Sequence, residues 1–150
     1  MVHPTQRILV VANETVGGQV LIETLTHLAA TCDAEVLALA PALNSRLAHW
    51  TSSDDAARRD AETRLARCIG LLAGAGVHAE GVVGDADPVR AMEDALRLFP
   101  ADQIVIATHP EERSNWLARD VVTKARSSFG RPVVHIVVDL ERHAEYLVAA

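Results

Sequence analysis

Residues 77–108 read VHAEGVVGDADPVRAMEDALRLFPADQIVIAT, and this stretch holds a strand, a turn, a helix and a second strand in succession. Over 77–83, His78 and Glu80 alternate with apolar neighbours, the period of a strand with one wet face, as at a sheet edge. Asp87-Pro88 then offers an N-cap and a first-turn proline. Val89, Met92, Leu96 and Phe99 follow at helical spacing, so one side of the helix is apolar. The run QIVIAT at 103–108 is short, apolar and β-branched, which suits a strand covered on both faces. A helix linking two such strands is a crossover, and a crossover makes the strands parallel.

The same alternation extends in both directions. RILVVA at 7–12, EVLALA at 35–40 and the run VVHIVV from Val133 to Val138 read as further strands. Helical stripes fall between them: Leu21, Leu25 and Leu28; Leu65, Ile69 and Leu72; Leu117, Val121, Ala125 and Phe129. Ser53-Asp54-Asp55 marks a helix start, with acids at the positive end of the dipole. Gly76 and Gly130 stand where left-handed helix stops fall. The order βαβαβαβαβ gives an α/β fold: a single doubly wound open sheet of five mostly parallel strands with helices on both faces. Residues 1–140 form this domain and 141–150 a C-terminal tail, in which Tyr146, Leu147 and Val148 are expected to dock as a helical turn or to fray.

Composition narrows the function. The chain of 150 residues carries a formal net charge of −6, which opposes broad attraction to nucleic acid or to an anionic membrane. No apolar run approaches the roughly 20 residues of a membrane span, and MVHPTQ at the start lacks the regions of a signal peptide, so a cytoplasmic protein is expected. Cys32 and Cys68 form no CxxC pair and read as reduced packing residues.

In an open parallel sheet, ligands bind beyond the carboxyl ends of the strands, where the strand order reverses. The positions of interest are therefore Ala12, Asn13, Glu14 and Thr15 after strand one; Ala40 and Arg46 after strand two; and Thr108, His109, Arg113, Ser114 and Asn115 after strand four. Arg46 and Arg113 offer guanidinium forks for carboxylate or phosphate, and the nearby Trp50 and Trp116 offer stacking surface. Each has a plainer role available: surface ion pairing for the arginines, covering a helix end for the indoles. ANETVGG holds neither GxGxxG nor the Gly-Lys-Ser/Thr ending of a P-loop, and the chain has no GxSxG elbow. His109-x-Glu111-Glu112 lacks the further ligands of a metal site, so no metal is expected.

Taken in order, RILVVANET, VVGDADPVRAMEDA, QIVIATHPEERSNW and FGRPVVHIVV resemble the universal stress protein family through Leu140, with the Gly84-Asp85 turn and Arg131-Pro132-Val133 particularly similar. The resemblance implies sheet order 3-2-1-4-5, a cleft between strands one and four, and a homodimer formed by antiparallel pairing of the last strands, here Val133 to Val138. Members that bind ATP carry G-x2-G-x9-G-Ser/Thr after strand four and an Asp ending strand one. In this chain the Asp position matches Asn13, and the first two glycines match Ala107 and Pro110. The last pair matches Asp120 and Val121, or Arg119 and Asp120 with one residue deleted. Pro110 removes a backbone donor, and Asp120 would face a triphosphate with like charge.

The expectation is a non-enzymatic, stress-related protein that binds a small ligand or nucleotide in the cytoplasm, without ATP in the usual family pose. Two alternatives stay open. One is an enzyme of nucleotide-related or small-anion chemistry, with His109 as acid or base. The other is a ligand-free interaction module whose cleft is filled by Trp50 and Trp116.

Overall fold

The computed structural model describes residues 5–12, 23, 25–27, 33–41, 54–84, 87–108, 121–139 and 144–148. Its elements are β1 (Thr5–Ala12), β2 (Asp33–Pro41), α1 (Asp54–Gly74), β3 (Ala79–Gly84), α2 (Pro88–Leu98), β4 (Gln103–Thr108), α3 (Val121–Ser128), β5 (Val133–Asp139) and β6 (Ala144–Val148). They form one sheet in the order β3-β2-β1-β4-β5-β6. The first five strands are parallel, and β6 runs antiparallel on β5. Strand β1 lies at the centre, with Leu9 beside Leu37 of β2 on one side and beside Ile104 of β4 on the other.

Alternation along β1 divides the core in two. Ile8 and Val10 point to one face, where they join Val36, Ala38, Leu25 and the α1 residues Ala61, Leu65, Cys68 and Leu72. Leu9 and Val11 point to the other, against Ala91, Met92, Ala95 and Leu96 of α2 and Val121, Val122 and Ala125 of α3. A strand buried on both faces has no polar side to show, which is why ILVV at 8–11 is continuously apolar. The helical stripes follow the same logic: Leu65, Leu72, Met92 and Leu96 are buried, and Ile69, Val89, Phe99 and Phe129 pack against them from the margin. Leu21, Leu28 and Leu117 lie outside the described residues.

Local chemistry sets the ends of the elements. Asp87 caps α2 by accepting a bond from the Val89 N–H, with Pro88 in the first turn. Gly76 (φ 83°) and Gly130 (φ 59°) take the left-handed conformation after α1 and α3, where a side chain would be strained. Arg131 joins the connection before β4 to the one before β5, donating from Nε to the Ala101 carbonyl and from a terminal nitrogen to that of Phe129. Arg131, at the entry to β5, thus holds the amino ends of these strands together.

The C-terminal region departs from expectation. Tyr146, Leu147 and Val148 belong to a strand, paired from His135↔Val148 to Asp139↔Ala144, and not to a helical turn. Tyr, Leu and Val suit a strand, and the unpaired backbone of β5 supplies a ladder that an isolated turn lacks. The edge expected at Val133 to Val138 is therefore already occupied. Strand β5 is internal, with β4 on one side and β6 on the other. His135, placed on that edge by the sequence reading, is 5% exposed and lies between Ile106 and Val148.

Candidate functional site

The strand order has a reversal point. From β1 the chain proceeds outward through β2 to β3, with α1 on one face; it then returns past β1 to β4 and β5, with α2 and α3 on the other. The strand order therefore reverses between β1 and β4, which is where an open parallel sheet places its ligands, beyond the carboxyl ends of the strands. Ala12 ends β1 opposite Ala107, and Thr108 ends β4 one residue further on. On the other flank Val11 pairs with Leu39, so Ala40 stands level with Ala12. Three of the positions selected from sequence, Ala40, Ala12 and Thr108, accordingly lie abreast at the carboxyl ends of β2, β1 and β4. Adjacent strands are about 4.8 Å apart, so the three ends together span a width on the order of 10 Å.

No family model matches the chain, and no curated protein matches it. Solved structures do. A universal stress protein family protein from Arabidopsis thaliana, with AMP bound, superposes with a TM-score of 0.64 at 14% identity, over 91% of this chain and 94% of that one. The universal stress protein from Archaeoglobus fulgidus in complex with dAMP gives 0.61 at 16% identity, over 86% and 96%. Universal stress protein UspA from Lactobacillus plantarum gives 0.66 at 15% identity, over 87% and 96%. The fold is that of the universal stress proteins.

Within this universal stress protein fold, Ala40 is wholly buried in the core on the α1 side, so what it can offer a ligand is backbone and the clearance of a small side chain. Asn13, Glu14, Thr15, Arg46, His109, Arg113, Ser114 and Asn115 lie outside the described residues, as do Trp50, Trp116, Pro110 and Asp120. The frame fixes where their segments leave the sheet: the one carrying Asn13 and the one carrying His109 begin on adjacent strands. Asp139, which the sequence reading left beyond its last strand, ends β5 at the same side of the sheet, opposite Ala144. Its signal is the hairpin with β6, a pairing that the local sequence does not register.

The opposite end of the sheet is closed by the chain's own polar groups. The Arg7 N–H donates to Asp102 Oδ2 at 2.9 Å, the Asp102 N–H donates to the Arg7 carbonyl at 2.8 Å, and Arg7 Nε donates to Glu35 Oε2 at 3.2 Å. These bonds tie the starts of β1, β2 and β4 together and consume the local charges. The ion pair itself is exposed and contributes little.

Two ionisable groups in the fold are shifted by burial. The Cys68 thiol is raised to about 11, because the core disfavours a thiolate, so it is a packing group and a poor nucleophile. Burial, and then the Arg126 guanidinium on α3, hold His135 below the usual histidine range. Among the described residues no cluster of His, Cys, Asp and Glu is arranged to hold a metal, and no helix is long and apolar enough to cross a membrane.

Proposed function

We propose that the protein is a non-enzymatic member of the universal stress protein family, acting in the cytoplasm, that binds a mononucleotide or similar small anion between β1 and β4. One observation carries the reading: the strand order places the ends of β1 and β4 side by side, in a fold shared with proteins whose structures hold AMP and dAMP. In this reading Asn13 hydrogen-bonds the base, the Thr108 to Asn115 segment bonds the phosphate, and the guanidinium groups of Arg46 and Arg113 balance its charge. Pro110 and Asp120 bias the site against a triphosphate. One withholds a backbone donor, and the other sets a carboxylate toward the added charge.

Isothermal titration of the purified protein with AMP, dAMP and ATP tests this. AMP or dAMP is expected to bind at least about tenfold more tightly than ATP, a difference of about 1.4 kcal/mol. Replacing Arg113 by Ala should weaken the mononucleotide by a further factor of about ten, as for loss of a charge-assisted contact worth about 1.5–3 kcal/mol. Absence of binding across the panel, or ATP binding as tightly as AMP, would sink the reading. A homodimer also belongs to it, on the ground that a sheet with an open apolar end is normally paired. Its contact cannot use Val133 to Val138 while β6 lies there.

A further inference from the structure

We infer that β6 is a proton-operated cover on the edge of β5: it stays laddered while His135 is neutral and lifts off when that side chain takes up a proton. The device is independent of ligand binding between β1 and β4.

His135 is out of keeping with its place. Among the described residues it is the only polar side chain that is buried, 5% exposed in a strand whose other residues from Val133 to Val138 are Val and Ile. Its neighbours in the sheet are Ile106 of β4 on one side and Val148 of β6 on the other. Ile136 joins the α1 side of the core, so by strand alternation His135 lies on the α3 side, with Val133. There Arg126 of α3 reaches the Val133 carbonyl from a terminal nitrogen at 3.5 Å. The ionisable groups on the surrounding elements are few. Helix α3 carries Arg126 and the exposed Lys124, and Arg131 precedes β5 with its guanidinium bonded to the carbonyls of Ala101 and Phe129. Strand β4, QIVIAT, has none. Strand β6 has Glu145 and Tyr146, paired with Val138 and Val137, and Asp139 ends β5.

An imidazolium at this position is opposed first by desolvation and then by the neighbouring guanidinium. A state in which water reaches His135 removes the first opposition and weakens the second, so protons favour that state. Which element yields depends on how each is held. Strand β4 is laddered on both sides, to β1 and to β5. Helix α3 inserts Val121, Val122 and Ala125 into the core. Strand β6 is five residues long and, among the described residues, laddered on one side. Such an element opens at a fraction of the cost of global unfolding. Its departure uncovers the flank of His135 beside Val148 and leaves β5 with an unpaired backbone edge, to which a partner's strand can add. The laddered form is fully favoured above the ordinary histidine value of about 6.5. It loses ground as pH falls, by at most about tenfold per pH unit for one proton, until the lower value of the laddered state is passed.

Amide hydrogen exchange of the full chain, followed by NMR between about pH 7.5 and 5.5 and corrected for intrinsic exchange, reads the opening of each strand. Opening of β6 is expected to rise by up to about tenfold per pH unit below about 6.5, while β1 and β4 keep their protection. Carboxylates ordinarily titrate near 4, outside this window. A second reading needs no substitution: Tyr146 is the one tyrosine of the chain, so 3-fluorotyrosine labelling gives β6 a single fluorine resonance. A released signal should grow in at acid pH, with the same midpoint as the titration of the His135 ring protons. His135→Leu should abolish the pH dependence, with circular dichroism verifying the fold. Arg126→Gln should shrink the total rise, since it removes one of the two oppositions. His143→Gln, in the link outside the described residues, should leave it unchanged. Exchange at β6 that ignores pH, or equal acid opening of β1 and β6, would overturn the cover. A response that survives His135→Leu, one lost in His143→Gln, or separate midpoints for the fluorine and imidazole signals would overturn His135 as its trigger.

Discussion

Gly84 and Asp87 bracket the turn from β3 into α2, and each is fixed by a different physical demand. A Cβ on Gly84 would lie 2.8 Å from the Cβ of Ala91 on α2 and 2.8 Å from Cδ1 of Leu39 on β2, so the helix start sits where no side chain fits. Gly84→Ala must push the first turn of α2 off the sheet, an overpacking cost of about 1–3 kcal/mol. At Gly81 the nearest atom is the Cδ1 tip of Ile69, also 2.8 Å away, which a rotamer change can move. Thermal melts should therefore show a larger fall for Gly84→Ala than for Gly81→Ala, the former by several degrees at about 2–4 °C per kcal/mol. Asp87→Ala removes the acceptor 3.0 Å from the Val89 N–H and should cost about 1 kcal/mol in urea unfolding, most of it recovered in Asp87→Asn. His135 predicts a pH dependence. Burial and Arg126 lower its folded pKa, so the unfolded chain takes up the proton first. Its contribution is complete above the unfolded value of about 6.5 and is lost as pH falls through the lower, folded one. The urea midpoint should drop between neutral and acid pH more steeply in wild type than in His135→Leu.

At the scale of elements, legibility followed the range of the interactions. Helix α2 could be read in detail because its cap, its proline and its stripe are all contained within 87–99; of the stripe the structure buries Met92 and Leu96, with Val89 and Phe99 packed at its margin, and it adds Pro88, Ala91 and Ala95 to the buried side. The strands 7–12, 35–40 and 103–108 could be read because burial on both faces leaves unbroken apolar runs at 8–12, 36–40 and 104–107. Strand three was placed two residues early: Val77 is buried, but the ladder with β2 starts at Ala79. The error has a simple source, since hydrophobicity reports burial and not backbone pairing. Strand β6 was missed for a related reason. Five residues in the order AEYLV satisfy a turn of helix as well as a strand, and only the neighbouring ladder decides.

For the whole molecule, the amino-acid sequence by itself determined the alternation of strands and helices, the parallel central sheet and the apolar face of each helix. Those features depend on residues close together in the chain, or on burial that every residue of a segment registers. It also placed the selected positions Ala12, Ala40 and Thr108 at strand ends, and the structure sets those ends level across β2, β1 and β4. What only the tertiary structure decided is which backbone edge remained open. Val133 to Val138 looked like the end of the sheet because its own residues say nothing of what arrives beside it; β6 arrives, and among the described residues the last strand of the sheet lies one place further out. Pairing of this kind is settled by the hydrogen-bonding groups that other strands have left unsatisfied, a quantity that exists only once the chain has folded.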